Sequence, residues 1–278
     1  MSDIAVGASF TLAVMNNGTL VTWGVNRDNQ ATIPTALANV PMRQVSVGSN
    51  YAIALGENGR VYGWGANDFG QLNVPVSARR NVIAVSASLG HVIALKTDGS
   101  IVLWGRNSAR QLNQPANQGP YLAVAAGHEF SIAVRRNDGR VIGWGKGTQN
   151  QLKIPSTLRN VVAVSAGFDH TLALTRDGAV VCWGANRYRQ CMVPTGLRDI
   201  TAISAGREYS LAMTKEGIVY AWGRNDYGQA RVPRLPFAAT SIGAGYVNSV
   251  VGLRDARVVA FGNSSLGALV SRTPTIQP

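Results

Sequence analysis

Few residues of this chain could do covalent or metal chemistry, and their spacing does not assemble it. There are three histidines, His91, His128 and His170, and two cysteines, Cys182 and Cys191. Neither a His-x-x-x-His nor a Cys-x-x-Cys spacing occurs, so no metal site is expected. Gly145-Lys146-Gly147-Thr148 has the residue types of a phosphate loop, but its glycines are wrongly spaced and no helical pattern follows. No Gly-x-Ser-x-Gly elbow is present, and no serine or cysteine comes with a base and an orienting acid. Glu129, Asp169 and Glu208 could converge as paired carboxylates do in glycosidases. Arginines alternate with them, which predicts that they stay ionised. The expectation is a protein that is not an enzyme and holds no cofactor.

Recognition chemistry is better represented. The 278 residues carry 26 Lys+Arg against 14 Asp+Glu, a net charge of +12. Such an excess favours an acidic partner, a nucleic acid or another anionic surface. Tyrosine and arginine, the side chains that most often anchor protein interfaces, gather in one half of the chain. Glu129, Phe168, Asp169, Arg187, Tyr188, Arg189, Arg207, Glu208, Tyr227 and Tyr246 are therefore candidate partner-binding residues. Arg79, Arg80, Arg135, Arg136, Arg140, Arg159, Arg231 and Arg234 form a second set, suited to anions.

Placing these residues requires the elements that carry them. A Trp-Gly step recurs at Trp23, Trp64, Trp104, Trp144, Trp183 and Trp222, then as Phe261-Gly262, at intervals of 39 to 41 residues. A period of that length, seven times over, is the signature of a repeat fold. Within Val161 to Pro194, alternating segments predict strands at Val161–Ala166, Thr171–Leu174, Val180–Trp183 and Cys191–Val193. Asp177-Gly178 and its counterparts mark tight hairpin turns. Pro194 ends an edge strand, having no amide to donate. Four antiparallel strands per repeat predict an all-β, seven-bladed β-propeller, one domain over 1–278. The blades fall near 1–39, 40–80, 81–119, 120–159, 160–198, 199–237 and 238–278. The tryptophans fill the gaps between blades, and no apolar run is long enough to span a bilayer.

Strand direction then sorts the loops. The first and third strands of a blade run the same way, so the loop after Ala-Gly and the loop after Trp-Gly share one face, the top. The Asp-Gly turns and the links between blades share the bottom. On the top, eight cations (Arg27, Arg106, Arg110, Lys146, Arg187, Arg189, Arg207, Arg224) meet six acids (Asp28, Asp68, Glu129, Asp169, Glu208, Asp226). The positive excess thus belongs to the bottom and rim. Phe10, Tyr51, His91, Phe130, His170, Tyr209 and Asn248, third after each Ala-Gly, recur too regularly to be a site and read as fillers. The recurring Gln30, Gln71, Gln111, Gln151, Gln190 and Gln229 are expected to satisfy loop backbone groups.

At Ser165-Ala166-Gly167, His170-Thr171-Leu172-Ala173-Leu174, Asp177-Gly178, Trp183-Gly184-Ala185-Asn186, Gln190 and Pro194, the chain resembles the regulator of chromosome condensation repeat family, over nearly its whole length. The resemblance implies a propeller that binds proteins. The family's eukaryotic founder is a chromatin-bound guanine nucleotide exchange factor for a small GTPase. A bacterial branch with short repeats like these includes a secreted inhibitor that caps β-lactamases. The expected function is thus a non-enzymatic scaffold, regulator or inhibitor acting through the top loops on a protein partner. Sequence-blind binding of nucleic acid or another polyanion by the basic bottom is the alternative, and exchange-factor activity a more distant one. The chain is expected to be a cytoplasmic monomer. Cys182 and Cys191, nine residues apart on facing strands of one hairpin, stand where a disulfide is geometrically conceivable, but one cysteine pair is no secreted disulfide framework and argues against a bridge.

Overall fold

A computed structural model describes residues 1–263. Twenty-one strands form seven separate three-stranded antiparallel sheets, each built from strands consecutive in sequence, arranged as blades of a propeller. In blade five these are β13 (Val161–Ala166), β14 (His170–Thr175) and β15 (Val180–Gly184). Two three-residue 3-10 turns, Thr35–Leu37 and Val76–Ala78, are the only helical elements among the described residues.

The middle strand shows how the repeat pattern builds a core. Leu172 and Leu174 pack with Ile200, Ala212 and Trp222 of blade six, whereas Ala173 joins Ile132, Val134 and Trp183 on the side of blade four. Large side chains face one neighbour and small ones the other, so tapering blades close-pack. Each tryptophan lies in the gap towards the preceding blade. The indole N–H groups of Trp64, Trp104, Trp144, Trp183 and Trp222 donate to the carbonyls of Gln30, Gln71, Gln111, Gln151 and Gln190 at 2.8–3.0 Å. On the inner strands, Ser46, Ser86, Ser165 and Ser204 each accept from an amide of the next blade, at 2.8–3.0 Å. Burial and hydrogen bonding therefore both run around the ring.

In blades one to six the outermost segment differs from the expected fourth strand. Residues 191–193 form no ladder with β15. Their amides are taken locally instead: Cys191 N donates to Asn186 Oδ1 at 2.9 Å and Met192 N to the Arg189 carbonyl at 3.0 Å. The seven blades stand, each with three ladder strands, and blades one to six carry an irregular outer strap. The cysteines also depart from expectation. Cys182 and Cys191 are joined in a disulfide, because the strap returns beside β15 with the two Cα atoms 5.0 Å apart.

At the bottom, the Asp-Gly-type turns of blades one to six are tied to the link entering the next blade, as in Ile200 N to the Gly178 carbonyl at 3.3 Å and Ala239 N to the Gly217 carbonyl at 3.0 Å. Blade seven closes on blade one through packing of Ile4 and Val6 with Val250 and through Thr240 Oγ1, which donates to the Met1 carbonyl at 3.4 Å. Ala268, which replaces the repeat glutamine, and the tail Thr275–Pro278 lie outside the described residues.

Candidate interaction face

One hydrogen bond per blade builds the top face. The residue after Trp-Gly donates its amide to the carbonyl of the residue two past Ala-Gly: Val25 to Ser9, Ala66 to Asn50, Arg106 to Gly90, Lys146 to Glu129, Ala185 to Asp169, Arg224 to Glu208 and Asn263 to Val247, at 2.8–3.0 Å. This stitch demands the glycine. Gly184 has φ +108, and a Cβ there would sit 2.5 Å from the Asp169 carbonyl oxygen. The glutamines complete the loops. Buried Gln190 accepts from Tyr188 N at 2.9 Å and Gln229 from Tyr227 N at 2.9 Å, which fixes the backbone beneath the exposed side chains.

The stitch decides which charges meet. In blade four it sets Lys146 beside Glu129, 3.2 Å apart, and in blade six Arg224 beside Glu208 at 2.5 Å. Arg106 of blade three is stitched to Gly90, which offers no charge, and reaches Glu129 of the next blade at 3.3 Å. Asp169 of blade five is stitched to Ala185, so it gains no cation and accepts from Gln151 Nε2 at 3.1 Å. Burial works to raise Glu129, yet the Lys146 hydrogen bond and the His128, Lys146 and Arg106 charges outweigh it and hold this carboxyl below its usual range. Asp169 moves the other way. Burial pushes it up, and Glu129 and Glu208 add to the push against Lys146. Neighbouring cations thus lower the Glu129 carboxyl, whereas burial and the neighbouring acids raise that of Asp169.

Around the mouth of the central channel the residues directly after Ala-Gly converge. His128 stacks on Phe168, with ring centroids 3.7 Å apart and planes at 15°, and Phe168 meets Tyr246 edge-on at 6.5 Å. The Arg207 guanidinium lies over both Phe168, at 5.1 Å, and Tyr246, at 5.7 Å. Ser49 Oγ is 3.1 Å from the Tyr246 hydroxyl. Outside this group, Tyr188 lies under two guanidinium groups, Arg224 at 4.8 Å and Arg187 at 5.6 Å. Arg224 also binds Asp226 at 2.5 Å, and its two acidic partners raise its pKa.

The structure thus brings together Phe168, Arg207 and Tyr246 at the mouth, and Arg187, Tyr188 and Glu208 beyond it through Arg224. Arg189 and Tyr227 are exposed on the same loops without a charged or ring partner among the described residues. His128, Arg106, Lys146, Arg224 and Ser49 belong to this surface and were absent from the candidate set. Their signal was positional, since they occupy the first place after Trp-Gly or after Ala-Gly. His91 and His170 are fully buried beneath it, 3.0 and 3.1 Å from Ser131 and Ser210 Oγ. Burial lowers them to about 3 and about 4, which keeps them neutral.

The arginines of the second set are less uniform. Arg135 and Arg140 share Asp138, Arg159 Nη1 donates to the Ser156 and Leu158 carbonyls at 2.7 Å, and Arg136 Nη2 reaches the Thr97 carbonyl at 3.4 Å. Arg79, Arg80, Arg231 and Arg234 are exposed and form no ion pair among the described residues. Among those residues there is no group of three potential metal ligands and no helix long and apolar enough to cross a membrane.

Comparison with known proteins places this architecture. No curated protein matches the chain by sequence. The chain resembles the entire ectodomain of the receptor kinase CR4 of Physcomitrella patens, with a TM-score of 0.78, 19% identity and coverage of 94% of this chain and 73% of that one. Human WBSCR16 aligns with a TM-score of 0.77 and 19% identity over 91% of this chain and 87% of that one. Prp20p of Saccharomyces cerevisiae aligns with a TM-score of 0.71 and 20% identity over 86% and 80%. Residues 1–30, 42–71, 161–190 and 200–229 each match the regulator of chromosome condensation (RCC1) repeat. This chain is therefore a seven-bladed propeller that resembles those structures, and four of its segments, in blades one, two, five and six, match the regulator of chromosome condensation repeat.

Proposed function

We propose that the chain is a non-enzymatic propeller that binds one protein partner on its top face, as a scaffold, regulator or inhibitor of that partner. The observation that carries this reading is the grouping of Phe168, Tyr188, Arg207 and Tyr246, in which rings and guanidinium groups lie against one another on loops locked from beneath. Rigid aromatic and arginine anchors lose little entropy on binding and dominate interface energetics. Protein binding by a related propeller supports it, since yeast RCC1 (Prp20) has been crystallised with Kap60 bound. Replacing Tyr188, Arg189 and Arg207 together by alanine is expected to weaken partner binding at least about a hundredfold, given hot-spot costs of roughly 2 kcal/mol or more each. Titration calorimetry with the purified partner measures this, and an unchanged Kd would remove the top face from consideration.

A second reading is favoured by four exposed arginines that have no acidic partner among the described residues, Arg79, Arg80, Arg231 and Arg234. Nucleic acid bound by such groups is held through its phosphates, regardless of sequence, and affinity must fall steeply with salt as counterions are released. A salt-independent Kd for a random duplex would rule this out.

A further inference from the structure

Arg207 differs from every other cation near the channel mouth. Arg106 and Lys146 are engaged by Glu129, and Arg224 by Glu208 and Asp226. Arg207 meets no carboxylate among the described residues, and it is exposed. Its positive charge is held instead against the faces of Phe168 and Tyr246. A cation–π contact satisfies the charge without filling the five N–H donors of the guanidinium, which stay open to a planar acceptor. Beside it stand Ser49 and Tyr246, whose hydroxyls bond to each other at 3.1 Å. In any such pair one hydroxyl donates and the other keeps its own proton, so one further donor is available at the mouth. The recess between these groups measures about 110 Å³ and is lined by Ser49, His128, Phe168, Arg207 and Tyr246 among others.

We propose that this recess takes a single carboxylate, the side chain of an aspartate or glutamate at the tip of a partner's loop. Arg207 grips it through two N–H groups and the Ser49–Tyr246 pair donates alongside. The inference rests on the top-face binding proposed above and names the chemistry of the partner. A guanidinium fork matches a carboxylate bidentately, and rings that pre-position the fork reduce the entropy lost on binding. A polyanion fits less well. Glu129, Asp169 and Glu208 stand on the same loops, so one negative charge matches the one guanidinium at the mouth that meets no carboxylate among the described residues, whereas a chain of phosphates would also meet three carboxyl groups.

The test uses the whole protein, 15N-labelled, and follows the arginine Nε–H resonances by NMR. Acetyl-Gly-Glu-Gly-amide is titrated first, then the isosteric acetyl-Gly-Gln-Gly-amide, then inorganic phosphate. The expected result is a saturable shift of the Arg207 resonance with the glutamate peptide, with the glutamine peptide weaker by about tenfold or more, as the loss of a charge-assisted bidentate bond implies. Arg207→Gln should abolish the response while the amide spectrum stays folded. Ser49→Ala, which leaves the rings in place, should weaken it by a few-fold. Equal binding of the two peptides overturns the proposal, and so does a preference of Arg207 for phosphate. Should the triple variant lose its protein partner while Arg207 ignores the glutamate peptide, only this inference fails. Should the triple variant keep its partner, the top-face reading fails.

Discussion

Two glycines on the top face separate backbone conformation from steric space, and their contrast tests how the interaction loops are held. Gly184 and Gly228 both have positive φ, +108 and +82, but a Cβ at Gly184 would lie 2.5 Å from the Asp169 carbonyl oxygen and 2.8 Å from His170 Cα, whereas one at Gly228 would meet nothing within 4 Å. Alanine at Gly228 carries only the left-handed penalty, about 1–2 kcal/mol. Some ~0.4–1 kcal/mol of that is offset because alanine stiffens the unfolded chain. A net loss of about 0.5–1 kcal/mol is expected. Alanine at Gly184 carries the same backbone penalty and must also push the 168–170 backbone away. The stitch from Ala185 N to the Asp169 carbonyl, 2.8 Å long, then breaks. Leaving that pair unsatisfied adds about 1–3 kcal/mol, so the total reaches about 1.5–4 kcal/mol. Urea unfolding followed by tryptophan fluorescence measures both variants, with equal m-values as the check that compactness is unchanged. If the two losses agree within about 1 kcal/mol, close approach of the loops is not what requires the Trp-Gly glycine, and the account of the stitch is wrong.

Other expected outcomes follow from single residues. Arg189 has φ +63 at the repeat position where Gly70, Gly228, Asn29 and Asn150 also adopt positive φ, so Arg189→Asn should raise stability by about 0.5–1 kcal/mol while weakening partner binding. No gain in the urea midpoint would show that the arginine is not held there at a cost. Asp3 accepts from Val45 N at 2.8 Å, and burial raises its carboxyl to about 6 against backbone hydrogen bonds from Val45 and Ile4. A raised acid favours folding when protonated, so this contribution is complete below about pH 4 and lost as pH rises through 6. Asp3→Asn should therefore match the parent at pH 3.5 and exceed it by about 1–2 kcal/mol at pH 7.5; a constant difference across that range would refute the assignment. The Cys182–Cys191 bridge closes a loop between residues nine apart. Replacing both by serine should cost about 2–3 kcal/mol on a loop-entropy estimate and speed amide exchange in 184–191, and unchanged exchange there would show that Asn186 and Gln190 hold the loop unaided.

The blade count, the tryptophan gaps, the role of the glutamines and the two faces were legible in the sequence because each depends on a residue pattern repeated at a fixed period. Leu172, Ala173 and Leu174 declare which side of the middle strand meets which neighbour, and Asp177-Gly178 declares the turn below them. The outer strap was misread as a ladder strand because Cys191–Val193 alternates like one. Its amides are claimed by Asn186 and by the Arg189 carbonyl, partners that follow from the loop path and not from hydrophobic pattern. The disulfide was conceivable from the hairpin that sets Cys182 opposite Cys191, but composition, which argues about compartments, spoke against it; the strap's return settles it by bringing the two together.

For the interaction face, residue types and positions selected Phe168, Tyr188, Arg207 and Tyr246, because a period of 39 to 41 residues places equivalent loops at one end of the ring. Pairing was not selected. Lys146 meets Glu129, Arg106 crosses to the next blade and Asp169 is left with Gln151, because one backbone hydrogen bond per blade sets which loop residues lie side by side. By itself the sequence determined a seven-fold ring with tyrosines and arginines on one end, since repetition copies local geometry into every blade. That Arg207 is the cation at the channel mouth without an acid among the described residues came from the tertiary structure alone, since it depends on the individual substitutions in which the repeats differ and on neighbours some 40 residues apart brought into contact by the ring.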